Sequence, residues 1–271
     1  KVSYIKWDMN RSITECYSVA LPADRQGEVF HRYILGVYDL YERLTSEFPE
    51  VLFESCSSGG GRFDPGMLYY APQGWTSDDS DAIERLKIQY GTSLCYPISS
   101  MGSHVSVIPN HQVFRKTPLH TRANVAYFGT FGYELDLNSL KEEEIAEVKE
   151  QIIFMKKYRK LFQFGDFYRL KSPFEGNETI WMVVSEDKKT AIVGDYRTLN
   201  GVNQAYSRIK LQGLDPDMLY ENILNKTENY GDELMNFGLI TTDVTAGEVP
   251  GDATPCTDFE SRIYILKAKE K

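Results

Sequence analysis

Basic charge, histidine and closely paired cysteine are all in short supply. Lys and Arg total 30 against 39 Asp and Glu, a formal net charge of −9 with a pI near 5.1. A phosphate-binding surface needs clustered Lys and Arg. The one modest cluster, Lys156 to Lys160, reads as the solvated face of a helix, so nucleic acid is not an expected partner. Four cysteines, Cys16, Cys56, Cys95 and Cys256, are widely spaced and form no CxxC pair. Neither a disulfide framework nor a zinc site follows from them. His104 and His111 flank Pro109-Asn110 without a third ligand in reach, so loop structure or hydrogen bonding to a substrate suits them better than metal. No metal and no cofactor is expected. No signal peptide and no apolar run long enough to cross a membrane stands in the sequence, so no membrane partner is expected. The chain opens on Lys1 rather than Met.

What is present is an ample apolar fraction, 42% over 271 residues, enough for one large domain or one large and one small. Tyr (18) and Phe (14) dominate the aromatics, a composition that suits sugar faces but equally an ordinary core. Residues 2–7 read as a buried strand. Over 27–48, Phe30, Ile34, Val37, Tyr41 and Leu44 recur with a helical period, and Pro49 stops the helix. Val51-Leu52-Phe53-Glu54 is a second strand, and Met67-Leu68-Tyr69-Tyr70 begins a third strand region running toward Trp75. A helix opens at Asp81, with Glu84 at capping-box spacing. A short strand at 97–101, a helical stretch at about 117–128, a strand at 131–137 and a long helix capped by Ser139 and Glu142 follow. This alternation is the pattern of βα units around a parallel sheet. After Gly165 strands dominate: 166–171, 179–185, 190–196, 205–211, about 216–221 and 260–267. The expected division is therefore 1–164 α/β and 165–271 all-β. A complete (β/α)8 barrel needs eight strands and about 250 residues, whereas about five strands precede residue 165. The first part is either an open sheet or a barrel without its first half.

Polar residues gather just past the strand ends, the edge where active sites form in such folds. Asp8, Asn10 and Arg11 follow the first strand, and Cys56 with Gly59-Gly60-Gly61 the second. Trp75 to Asp81 follow the third, and Ser103 and His104 the fourth. Alternation puts Lys6, Asp8 and Asn10 on one face. A nearby ammonium would keep Asp8 ionised for attack on an anomeric carbon. On spacing alone a structural Lys6–Asp8 ion pair is an equal reading. The glycine run lacks the Lys-Ser/Thr of a phosphate loop, so close approach of backbone to a small ligand fits it better. Nothing adjacent in sequence would activate Cys56 as a nucleophile. Asp81 is accounted for as a helix cap. Asp78 and Asp79 are not, and the apolar wall of Trp75 suits a general acid beside it, although solvated charge would explain them too. Two carboxylates at neighbouring strand ends without a metal cluster favour glycosidic chemistry.

Four motifs in order carry a specific resemblance: Tyr4-Ile5-Lys6-Trp7-Asp8-Met9-Asn10-Arg11; Cys56-Ser57-Ser58-Gly59-Gly60-Gly61-Arg62-Phe63-Asp64; Trp75-Thr76-Ser77-Asp78-Asp79-Ser80-Asp81; and Ser100-Met101-Gly102-Ser103-His104-Val105-Ser106 with Pro109-Asn110-His111-Gln112. Together they resemble glycoside hydrolase family 36, strongly over about 1–140 and more loosely beyond. The resemblance implies a retaining α-galactosidase acting on α-galactosides of the melibiose or raffinose type. It implies a (β/α)8 barrel, of which this chain holds about strands four to eight, followed by an antiparallel β-sandwich domain. It places the nucleophile at Asp8 and the acid/base at Asp78. It implies that Lys6 and Asn10 bind galactose hydroxyls, that Cys56 and Gly59 shape the pocket, and that Trp75 lines it. It also implies that an N-terminal β-domain and the first three barrel strands lie outside this chain. Cytoplasmic location and a homo-oligomer, a tetramer, are expected of the full-length protein. An α-N-acetylgalactosaminidase, a galactosyl-transferring relative, or a catalytically incomplete fragment remain alternatives. The Cys56 to Gly59 segment resembles the galactosidase version, which would crowd a 2-acetamido group.

Overall fold

The structure is a computed structural model that describes residues 1–11, 13–202, 207–241 and 257–269. By its internal contacts the chain divides into Lys1–Asp78 with Ser100–Gly102, and Asp79–Ser99 with Ser103–Lys271. In the first unit, β1 (Tyr4–Trp7), β2 (Leu52–Ser55) and β3 (Gln73–Trp75) pair in parallel, with Tyr4 opposite Leu52, Lys6 opposite Glu54 and Glu54 opposite Gln73. β4 (Met101–Ser106) continues the pattern, Gly74 facing Met101. With β5 (Thr130–Glu134) the strand order is β1-β2-β3-β4-β5. Parallel strands in sequential order are those of successive βα units in a barrel, as expected.

Two helices serve the first strands. α1 (Val29–Glu47) presents Val37, Tyr41 and Leu44 to Phe53 and Trp7, with the Trp7 and Tyr41 ring centres 4.7 Å apart. α2 (Pro65–Tyr70) replaces the strand expected at Met67 to Tyr70. The β-prone Met-Leu-Tyr-Tyr run is overridden by its start signals. Pro65 has no N–H to lose in the first turn, and the Asp64 carboxylate accepts the Met67 N–H at 2.9 Å. The third strand begins only at Gln73.

In the second unit, α3 (Ala82–Ser93) is capped by Asp81, which accepts the Ile83 and Glu84 N–H groups, each at 3.1 Å, as read from sequence. Residues expected as a strand at 97–101 are a 3-10 turn over Ile98–Ser100, and β4 starts one residue later. α4 (Leu119–Ala126) and α5 (Glu142–Phe164) follow; Lys141 and Glu144 rather than Ser139 begin the long helix, the Glu144 carboxylate accepting the Lys141 N–H at 2.9 Å.

Beyond Gly165 the sheet is antiparallel. β6 (Asp166–Lys171), β7 (Glu178–Val184), β8 (Thr190–Arg197), β10 (Leu219–Asn222), β11 (Glu228–Tyr230) and β13 (Glu260–Ala268) lie in the order β11-β10-β13-β8-β7-β6. A two-stranded sheet pairs β9 (Arg208–Ile209) with β12 (Leu239–Ile240), preceded by the short helix α6 (Gly231–Asn236). Along β7 the side chains alternate between two buried environments. Ile180, Met182 and Val184 join a cluster with Ile209, Leu211 and Leu239, while Trp181 meets the rings of Phe128, Phe167 and Tyr196. A strand covered on both faces needs a continuous apolar run, which Ile180–Val184 supplies.

Candidate functional site

The ends of β1 and β2 are tied together by polar contacts. The Cys56 N–H donates to the Trp7 carbonyl at 3.0 Å, and the Ser57 hydroxyl to the Met9 carbonyl at 3.0 Å. The buried Arg62 guanidinium donates to both the Trp7 and Cys56 carbonyls, at 3.1 and 2.7 Å. This clamp fixes the first residue past β1, Asp8, whose carboxylate is open to solvent. Its Oδ1 accepts the Met9 N–H and its Oδ2 the Asn10 side-chain amide, each at 2.8 Å. Asn10 Oδ1 in turn accepts the Ser58 N–H at 3.0 Å. What burial Asp8 has would raise its pKa; hydrogen bonds from the Cys56 thiol, Asn10, and the Met9 and Ser58 N–H groups outweigh that and hold it below the ordinary aspartate value. The Cys56 thiol moves the other way, pushed up to about 11 by burial and by its bond to Asp8. It is a buried donor to a carboxylate rather than a nucleophile.

The glycine run has a steric explanation. Gly59 sits at φ +80°, and a Cβ there would fall 2.7 Å from the Ser77 Cα and 2.8 Å from the Asp78 nitrogen. At Gly60 it would fall 2.6 Å from the Thr76 carbonyl oxygen. The Cys56 to Gly61 loop therefore packs backbone against backbone on the segment that carries Asp78, an approach open only to glycine. Asp78 is exposed, at the C-terminal side of β3. Its neighbours in sequence have structural partners: Asp79 accepts the Asp81 N–H at 3.0 Å, and Asp81 caps α3 and pairs with Arg115.

One expectation is corrected. Lys6 does not hold Asp8 ionised. Its ammonium lies 3.6 Å from Glu54 Oε1 and 4.2 Å from the centre of the Trp75 ring. Parallel register sets Lys6 directly opposite Glu54, and Glu54 is buried, so the ion pair forms across the strands rather than along β1. Glu54 was not singled out from sequence; the available signal was a carboxylate closing an otherwise apolar strand, Val51-Leu52-Phe53-Glu54. His104 lies with Nδ1 3.4 Å from Glu134, and His111 is exposed on the loop after β4. Among the described residues no three His, Cys, Asp or Glu side chains are grouped to hold a metal ion. Cys16, Cys56 and Cys95 are free thiols, and Cys256 lies outside the described residues. No described helix is long and apolar enough to cross a membrane.

Comparison with known proteins identifies the family. The melibiase family matches residues 1–165, and the C-terminal domain of glycosyl hydrolase family 36 matches 178–266. Alpha-galactosidase AgaA of Geobacillus stearothermophilus is 57% identical over all of this chain, and alpha-galactosidase 1 of Pediococcus pentosaceus 48% identical over 99% of it. In both cases the chain spans only 35% of the relative's length. Among solved structures, a variant of AgaA in complex with raffinose superposes with a TM-score of 0.91 at 52% identity, covering 98% of this chain and 36% of that one. The alpha-galactosidase of Lactobacillus brevis superposes with a TM-score of 0.92 at 51% identity, covering 99% and 36%. The chain thus belongs to glycosyl hydrolase family 36, as a segment whose first half carries the melibiase sequence pattern and whose second half carries the family's C-terminal domain.

Proposed function

We propose that this chain supplies the nucleophile and the acid/base of a retaining α-galactosidase that removes terminal α-galactosyl residues from melibiose- or raffinose-type substrates. In the first step an Asp8 oxygen attacks the anomeric carbon while Asp78 gives its proton to the departing glycosidic oxygen. In the second, Asp78 takes a proton from water, the water oxygen bonds to the anomeric carbon, and the Asp8 carboxylate leaves. Two displacements retain configuration and require carboxyl groups about 5–5.5 Å apart. The observation that carries this reading is the setting of Asp8: solvent-open, at a strand's C-terminal end, and held ionised by neutral donors. Those donors also make it a competent leaving group in the second step, because they stabilise the carboxylate that is released. Lys6 and Asn10 as hydroxyl ligands, Cys56 and Gly59 as pocket shape, and Trp75 as pocket lining belong to the same reading. So do residues 1–164 as part of the catalytic barrel, 165–271 as its C-terminal β-sandwich domain, a cytoplasmic homo-tetramer, and the absence of any cofactor. The test is turnover of an aryl α-galactoside by the protein with all the sequence it naturally carries. Asp8→Asn should lower kcat by about 10⁴-fold or more, and full activity in that variant removes Asp8 from the role. The 271-residue chain assayed alone should be inactive.

A further inference from the structure

Opposite Lys6, two residues before Asp8, stands a second carboxylate that the displacement mechanism does not use. Glu54, on β2 between β1 and β3, is 2% exposed. Its Oε2 accepts the Tyr4 hydroxyl, and the Gln73 side-chain amide at 3.1 Å. Its Oε1 is buried and has no hydrogen-bond donor among the described residues; what faces it is the Lys6 ammonium at 3.6 Å. Tyr4, Glu54 and Gln73 stand on three adjacent strands, with Glu54 in register with Lys6 on one side and Gln73 on the other. Room for the group comes from Gly102, where a Cβ would come within 2.8 Å of the Trp75 ring and 3.4 Å of Glu54 Oε1.

The two oxygens are thus treated differently. Neutral donors from both neighbouring strands anchor one, and the other is aimed at the ammonium. A buried carboxylate oxygen without a donor is costly, which ties the ammonium to it. On its other side the same ammonium rides over Trp75 at 4.2 Å, a cation–π contact. A lysine chain normally samples many rotamers; here a carboxylate below and a ring beside it restrict the head group. Along β1 and β2 the arrangement repeats one step higher, where Cys56 supports Asp8 as Glu54 supports Lys6.

We infer that Glu54 is a positioning residue that fixes the Lys6 ammonium at the height of a galactose hydroxyl, so that it governs sugar affinity rather than bond cleavage. This rests on the proposed α-galactosidase reading for the role of Lys6. The orientation of Lys6 by Glu54 stands independently of that reading.

Glu54→Gln keeps the shape, retains an acceptor for Tyr4, and replaces the charge facing Lys6. For an aryl α-galactoside, KM should rise about tenfold, the equivalent of one charge-assisted hydrogen bond, with kcat changed less than about threefold. Glu54→Asp, which keeps the charge at a shorter reach, should fall between parent and Gln. The decisive arm is a double-mutant cycle. In a Lys6→Met background, Glu54→Gln should cost little further, because its effect passes through Lys6. Additive losses, or an unchanged KM in folded Glu54→Gln, overturn the inference. These assays use the protein with all the sequence it naturally carries; if that parent turns over no α-galactoside, the functional reading fails instead, and a crystal structure of Glu54→Gln decides the positioning alone. A Lys6 head group displaced from Trp75 supports it, and an unmoved one overturns it.

Discussion

Two strands show how differently the two parts of the chain are held. β8 in the antiparallel sheet is buried from Ala191 through Arg197, with neighbours on both edges. In β1, Tyr4, Ile5 and Lys6 are exposed and Trp7 is half-buried, and among the described residues its pairing is with β2 alone. The antiparallel sheet rests on apolar area, with Trp181, Tyr196 and Val193 almost wholly out of water. The β1 end rests on polar ties: Arg62 to two carbonyls, Ser57 to Met9, and Asn10 between Asp8 and Ser58. Hydrogen bonds are directional and set geometry within tenths of an ångström, while each contributes only about 1 kcal/mol. Apolar burial is non-directional and supplies most of the stability. The β1 end is thus held by directional polar ties, and the antiparallel sheet by apolar burial.

The largest expected effect tests the antiparallel sheet. Trp181→Ala removes a ring packed on Phe128, Phe167 and Tyr196 at centroid distances of 5.5, 6.3 and 5.2 Å. It should lower stability by about 3–5 kcal/mol in urea unfolding. A loss below about 1 kcal/mol would mean that the antiparallel sheet is not held chiefly by apolar burial.

The next concerns a charge buried in that same sheet. Burial foremost, and then the neighbouring Glu178, raise Asp195 to about 7, against the opposing pull of Arg197, Arg262 and Lys171. A folded pKa above the unfolded value of about 3.9 means that the native state holds the proton more tightly. The stabilisation is complete below pH 4 and is lost as pH rises toward 7, by a few kcal/mol in order of magnitude. Asp195→Asn, which keeps the neutral shape, should flatten that slope in unfolding measured from pH 4 to 8. A parent whose stability climbs over that range would contradict the assignment.

How much of this was legible beforehand follows from the range of the interactions. The capping of α3 by Asp81 and the strands β6 to β8 are written within a few residues, and they lie where periodicity and caps put them. α2 departs from the strand that residue preference at Met67 to Tyr70 suggests, because the Asp64-Pro65 start signal outweighs that preference. β11, α6 and β12 are two to six residues long, too short for a period to register. In the site, a close backbone approach could be read from the glycine run, but as approach to a small ligand, whereas at Gly59 and Gly60 the neighbour is the backbone of Thr76 to Asp78. That Lys6 answers to Glu54 rather than to Asp8 could not be read, since it depends on the register of strands 48 residues apart. The steric reading of the glycines can be tested directly. Gly59→Ala forces a side chain at φ +80° into backbone 2.7 Å away. It should cost about 1–2 kcal/mol of stability and, by moving the Asp78 segment, a disproportionate loss of turnover, roughly 10²-fold. A variant with parental activity would show that the loop and the Asp78 segment are not coupled.

The smallest effect is the other half of the first. Ile5 on β1 is 37% exposed and borders an apolar groove of about 580 Å³ lined by Val2, Leu44, Phe48, Val51 and Phe53. Much of its side chain is already in water, so Ile5→Ala removes little transfer free energy, and it leaves no sealed cavity. In the 271-residue chain the loss should stay below about 1 kcal/mol, several-fold less than for Trp181 in the same unfolding assay. A loss of about 2–5 kcal/mol would instead mean that Ile5 is packed as a core residue. The β1 end would then be secured by apolar burial as the antiparallel sheet is, and the contrast between the two would vanish.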